Sequence, residues 1–237
     1  MPKLPNVPAS AVSEPSARRP IAARDTGWAR SMAASLARAG ASPNAISVAS
    51  VAFALLGAWG MLMVSPWGYL LGVAGIQLRL VCNLLDGMVA IEGGRKSAVG
   101  ELYNEVPDRV ADSVLLVAMG YASGFAWVGW AAALVAALTA YIRVFGGALR
   151  QKQSFRGPMA KQHRMATLSG ALFVAFCVSF VPLPPLSLGA AALAWPQAAL
   201  LLAGLIVVAG SALTCWLRLK GIAHGLREEE AAKAEAA

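Results

Sequence analysis

Charge is what this chain has least of. Only 14% of its 237 residues are Asp, Glu, Lys or Arg, and the acids are outnumbered, 12 against 20 basic residues. With 58% hydrophobic residues, so little charge excludes an ordinary soluble domain and points to an integral membrane protein. Cysteine is also scarce. Cys82, Cys177 and Cys215 stand singly in apolar runs without C-x-x-C spacing, so they read as buried thiols, neither a disulfide framework nor a thiolate metal site. No apolar stretch follows the basic residues of positions 1–24, which excludes a signal peptide and leaves a Pro-, Ala- and Ser-rich cytoplasmic tail expected to be disordered. No internal repeat is visible, nor any pair of interrupted helices in matching halves such as transporters carry.

What the chain does have is long apolar runs. Over residues 25–40, Trp28, Met32 and Leu36 recur at i, i+4, i+8 while Arg30 and Arg38 project elsewhere. This predicts a short amphipathic helix at the membrane interface, closed by Gly40. Ser42-Pro43-Asn44 then opens the first of six runs long enough to cross about 30 Å of hydrocarbon. They lie at roughly 44–64, 68–91, 100–122, 126–149, 164–182 and 196–217. The expected fold is all-α, a polytopic membrane bundle of six transmembrane helices over residues 42–217 behind an interfacial helix. Residues 218–237 form a charged, Ala-rich cytoplasmic tail. Pro107 and a concentration of acids make the third run the least apolar.

The net charge of +8 raises the question of nucleic acid, but the basic residues sort by loop. The connections 65–68, 121–127 and 181–197 hold no Lys or Arg, whereas Arg95, Lys96, Arg150, Lys152, Arg156, Lys161 and the two ends of the chain lie on the other side. The positive-inside rule accordingly places both termini in the cytoplasm of a multi-pass protein of the cell inner membrane, with lipid and not nucleic acid as its surroundings.

Six of the twelve acids fall between Asn83 and Asp112, at Asp86, Glu92, Glu101, Glu105, Asp108 and Asp112. Ionised groups at membrane depth are unstable unless paired, hydrated or metal-bound, so such a cluster marks a functional site. Asn83, Asp86, Gly87 and Ala90 recur at i, i+3, i+4, i+7, which puts two oxygen-bearing side chains and two small residues on one helical face. On the next helix Glu101, Asn104, Glu105, Asp108 and Asp112 fall within an arc of about 100°. Two such faces side by side make a cage of hard oxygen donors suited to Mg²⁺ or Mn²⁺, with a bridged diphosphate as the natural ligand. The alternative is that these acids simply pair with nearby cations, Arg79, Arg95, Lys96 or Arg109.

The stretch resembles the signature of the CDP-alcohol phosphotransferase family, D-x2-D-G-x2-A-R-x8-G-x3-D-x3-D. Asp86, Gly87, Ala90, Gly100 and Asp108 stand in register, SPNAIS is similar to the start of the family's first helix, and RGPMAKQHR to its basic element before the fifth. Asn83 and Asn104 replace the first and third aspartates and Ile91 the arginine, a form that resembles a bacterial branch of the family. The resemblance implies a metal-dependent membrane phosphatidyltransferase of phospholipid synthesis, in which an alcohol attacks the β-phosphorus of CDP-diacylglycerol and CMP leaves. It implies that Asn83, Asp86, Asn104 and Asp108 hold the metal and diphosphate, that Asp108 is the general base, and that Asn44, Gly87, Ala90 and Gly100 admit the nucleotide. Glu105 or Asp112 is expected to replace the charge missing at the two asparagines. Arg143, Arg150, Lys161 and Arg164 form a second basic group, in which Arg143 and Arg164 are expected to bind a phosphate of acceptor or donor, while Arg150 and Lys161 read equally as anchors for anionic lipid headgroups. Homodimers are common in the family. Two other functions compete: a catalytically altered scaffold for lipid enzymes, motivated by the asparagines, and an ion-coupled transporter.

Overall fold

A computed structural model of the chain describes residues 26–92, 99–151, 155–188 and 191–235. Among them are seven helices: α1 (Gly27–Arg38), α2 (Pro43–Leu62), α3 (Pro66–Glu92), α4 (Gly100–Ala122), α5 (Ala126–Ala148), α6 (Lys161–Val178) and α7 (Trp195–Glu235). A short antiparallel pair, β1 (Leu186–Leu188) and β2 (Ala191–Leu193), lies between α6 and α7, with Leu186 opposite Leu193. The fold is the expected helical membrane bundle. The sequence had offered only a connection where the strands stand. Pro184 and Pro185 forbid helix there, and the Pro184 carbonyl accepts a hydrogen bond from Trp195 Nε1 at 2.9 Å.

The bundle is built inside out relative to a soluble domain. Large apolar side chains such as Leu55, Trp59, Trp127, Trp130, Leu134 and Trp216 face outward, while Arg79, Asp86, Asp108, Asp112, Arg164 and Arg218 are buried. Helices α2, α3, α5 and α7 are each long and apolar enough to cross a membrane. Helix α4 carries its acids in its first half, and α6 opens on Lys161-Gln162-His163-Arg164, so both fall short on apolarity alone. Despite Pro107, α4 is one unbroken helix.

Small residues let the helices approach. A Cβ added to Gly75 of α3 would lie 2.5 Å from Gly57 Cα of α2, and one on Gly120 of α4 would lie 2.5 Å from Gly129 Cα of α5. Around these crossings Leu115, Leu116 and Met119 of α4 meet Leu168 and Leu172 of α6 and Leu200 of α7 in one core. Helix α1 packs on α3 through its small face, Ala29 and Ala33 against Leu84, Leu85, Met88 and Val89. Trp28 and Met32 of the expected stripe stay exposed, as a membrane-facing surface requires. Helix α7 does not stop near residue 217: it runs unbroken to Glu235, about 60 Å at 1.5 Å per residue. The charged tail expected from 218 is thus helical over its described part. It contains no proline, its His224 and Glu228 pair at i, i+4 and 3.2 Å, and Glu229 accepts from Gln151 at 2.5 Å.

Candidate active site

Three helices supply the site. Helix α3 presents Arg79, Asn83 and Asp86 at i, i+4, i+7, α4 presents Asp108 and Asp112 one turn apart, and the first turn of α6 presents Lys161 and Arg164. Helix α2 adds Ser47, whose hydroxyl donates to Asp86 Oδ2 at 2.6 Å.

Asp108 is surrounded by donors. Its Oδ1 accepts from Asn83 Nδ2 at 2.7 Å and from Arg79 Nη2 at 3.3 Å. Its Oδ2 pairs with the Lys161 ammonium and lies 3.8 Å from Arg109 Nη2. One turn deeper, Asp112 takes a guanidinium on each oxygen, Arg79 on Oδ1 and Arg164 on Oδ2, both at 2.7 Å. The side chains of this triad are shut off from solvent, Arg79 at 0%, Asp112 at 3% and Arg164 at 1% exposure. Arg79 further donates to Met165 Sδ at 3.0 Å, and Arg164 to the Met159 carbonyl at 3.1 Å. Buried charges persist only where partners replace water, and each of these acids has at least two polar partners or a buried hydroxyl against it.

Asn83, Asp86, Asp108 and Lys161 come together, with Asp112 and Arg164 beneath them. Glu101 and Asn104 are exposed on the outer turns of α4, where the acidic arc leaves the bundle. Glu105 is paired with Arg143 at 2.5 Å and lies 3.8 Å from Arg109, and Arg143 stacks over the Phe155 ring at 5.8 Å. Glu105 and Asp112, expected from the sequence to face a metal, are each paired with arginine. Arg79 and Arg109, candidate ion-pair partners from the sequence, do meet acids; Arg95 and Lys96 lie outside the described residues. Arg150 is exposed and ends α5 with a left-handed φ of 59°. His163 is exposed and shares a hydrogen bond with the Pro158 carbonyl at 2.6 Å. Asn44 and Gly100, at the starts of α2 and α4, and Gly87 and Ala90, near the end of α3, are half-buried. One contributor had gone unassigned, Ser47, whose signal was its place on the face of Asn44.

Among the described residues no three His, Cys, Asp or Glu side chains are grouped around a common point as for a metal ion. The convergent oxygens are those of two carboxylates, Asp86 and Asp108, with the amide of Asn83 between their helices. This donor set holds no sulfur or imidazole and suits a hard cation, with Lys161 as a fixed positive charge beside it.

The family model for CDP-alcohol phosphatidyltransferase matches residues 41–216. Two solved structures of phosphatidylinositol phosphate synthase (PgsA1) from Mycobacterium tuberculosis are similar in fold. One, in complex with manganese and citrate, has a TM-score of 0.66 and covers 82% of this chain and 88% of that one. The other, with CDP-DAG bound, has a TM-score of 0.67 and covers 82% and 92%. Each is 18% identical to this chain, so the likeness is one of fold. A sequence search of curated proteins finds no match.

Proposed function

Because the chain belongs to the CDP-alcohol phosphatidyltransferase family, we propose that it transfers a phosphatidyl group from CDP-diacylglycerol to an alcohol in the synthesis of a phospholipid. The observation that carries this reading is the convergence of Asn83, Asp86 and Asp108 with the Lys161 ammonium. In this reading all six helices α2 to α7 span the inner membrane, with both termini and the site on the cytoplasmic side. The acceptor enters from the cytoplasm and the lipid tails remain in the bilayer.

Asp86 and Asp108, with the amide oxygen of Asn83, would hold Mg²⁺ or Mn²⁺, and Asn104, exposed on the outer turns of α4, is left out of the set. When bound, such an ion supplies charge neutralisation for the diphosphate. The chain's own groups do the rest. Ser47 orients the Asp86 carboxylate, and Asn83 and Arg79 fix Asp108 from one side. Asp108 takes the proton of the acceptor hydroxyl as its oxygen bonds to the β-phosphorus, the bridging bond to CMP breaks, and the leaving oxygen carries the electron pair away. Lys161 faces the charge that develops on the phosphoryl oxygens, and its pairing with Asp108 keeps it there in the resting site. Gly87, Ala90, Gly100 and Asn44 line the way in for the nucleotide. Arg143 and Arg150 belong to the outer basic group, where an anionic acceptor or lipid headgroup would bind. Glu105 and Asp112 keep their arginines and take no metal.

The test is release of CMP by the full-length protein in liposomes with CDP-diacylglycerol, Mg²⁺ or Mn²⁺, and a panel of acceptors: glycerol phosphate, inositol phosphate, inositol and serine. Release that requires the metal and one acceptor is expected and names the product. Folded protein that releases no CMP with any acceptor would transfer the weight to a scaffold role.

A further inference from the structure

Residues 155–160, between α5 and α6, form neither helix nor strand, yet Met159 and Ala160 are buried. Buried irregular backbone needs partners for its N–H and C=O groups. Helix α7 provides them from a stripe at every fourth residue, Gly210, Thr214 and Arg218. Gly210 leaves room for the Met159 side chain, since a Cβ there would lie 2.8 Å from Met159 Cε. Thr214 Oγ1 accepts the Met159 N–H at 3.0 Å and donates to the Gly210 carbonyl at 2.7 Å. Gly157 takes a φ of +119° against Thr214, where any Cβ would lie 2.5 Å from Thr214 Cγ2. Arg218 is 5% exposed. Its Nε donates to the Arg156 carbonyl at 3.1 Å and its Nη1 to the Thr139 carbonyl of α5.

Arg164 also binds this segment and Thr139, through the Met159 carbonyl at 3.1 Å and Thr139 Oγ1 at 3.4 Å. The two guanidiniums thus both tie the irregular segment to Thr139 of α5. Lys161 and Arg164 follow directly from that segment. We propose that Arg218 is a positioning residue: by binding the Arg156 and Thr139 carbonyls it sets the start of α6, and so holds Lys161 opposite Asp108 and Arg164 opposite Asp112. Its consequence for catalysis rests on the transferase reading. Its consequence for the geometry of Lys161 does not.

The experiment compares the full-length wild type with Arg218→Met, Arg218→Lys and, as a control, Arg227→Met on the exposed part of α7. The first readout needs no substrate: the rate at which an amine-reactive ester labels Lys161, measured by mass spectrometry relative to the exposed Lys233. The second is kcat and KM for CMP release. Arg218→Met is expected to label Lys161 several times faster and to lower kcat about tenfold or more with KM for CDP-diacylglycerol little changed. Arg218→Lys restores both in part, and Arg227→Met behaves as wild type. Unchanged labelling, or faster labelling with kcat intact, overturns the proposal. If Arg218→Met does not fold, Thr214→Val removes the acceptor for the Met159 N–H and must shift Lys161 labelling in the same direction. A wild type that releases no CMP sinks the transferase reading, and the labelling comparison still decides the role of Arg218.

Discussion

Arg79 of α3 and Asp112 of α4 meet at 2.7 Å inside the bundle, with the arginine fully shielded from solvent. Arg164 closes the other oxygen of the same carboxylate. Removing one member of such a buried set leaves uncompensated charge, so Asp112→Ala is expected to destabilise the protein by about 3–5 kcal/mol. Glu105→Ala, whose side chain is 41% exposed, is expected to lose no more than about 1 kcal/mol. Thermal unfolding of both variants in one detergent checks the contrast. Mn²⁺ affinity of folded Glu105→Ala should equal that of wild type, and a large loss would restore Glu105 to the metal set.

The inner site is not short of positive charge. Arg79, Lys161 and Arg164 equal Asp86, Asp108 and Asp112 in number, and Arg109 lies 3.8 Å from Asp108 besides. A divalent cation alone adds uncompensated charge there, whereas a cation with a diphosphate adds little. Mn²⁺ binding is therefore expected to be weak alone and to tighten when CDP is present, with reciprocal tightening of CDP by Mn²⁺. Equilibrium dialysis with each alone and with both together measures the coupling. Equal Mn²⁺ affinity with and without CDP would contradict it.

Asn83 donates its amide N–H to Asp108 at 2.7 Å, so Asn83→Asp exchanges a hydrogen bond for a repulsion between carboxylates. The variant should melt below wild type in chelator and gain more than wild type from added Mn²⁺. A melting temperature that responds to Mn²⁺ no more than that of wild type would mean that position 83 does not face the ion.

The glycine crossings give a test of packing. Gly120→Ala puts a methyl 2.5 Å from the backbone of Gly129, and overpacking of this kind costs typically about 1–3 kcal/mol. Gly170 on α6 has nothing within 4 Å of its would-be Cβ. Gly170→Ala should leave the melting temperature unchanged or raise it slightly through helix propensity.

The apolar runs and the spaced motif were legible because each depends on local period alone. Helix boundaries for α2 to α5 fall within a few residues of the runs, and Asn83 of α3 hydrogen-bonds Asp108 of α4. The acidic arc of α4 was legible as an arc, but not where the bundle cuts it. Asp108 and Asp112 point inward, while Glu101 and Asn104 lie beyond the packed region. Arg79 was visible as a cation within an apolar run. That it would pair with Asp112 depends on how α3, α4 and α6 approach, which no local pattern encodes. The continuation of α7 was hidden by its change from apolar to charged residues, a change of solvent without a change of helix.

The central claim is that Asp108, held between Asn83, Arg79 and Lys161, accepts the acceptor's proton. The most direct measurement is the rate of CMP release by wild type and Asp108→Asn at saturating CDP-diacylglycerol, acceptor and Mn²⁺, with folding of both confirmed by melting. The account predicts a loss of about 10²–10⁴-fold in kcat for Asp108→Asn, the range of general-base catalysis. An Asp108→Asn protein that releases CMP within a few-fold of the wild-type rate would contradict it.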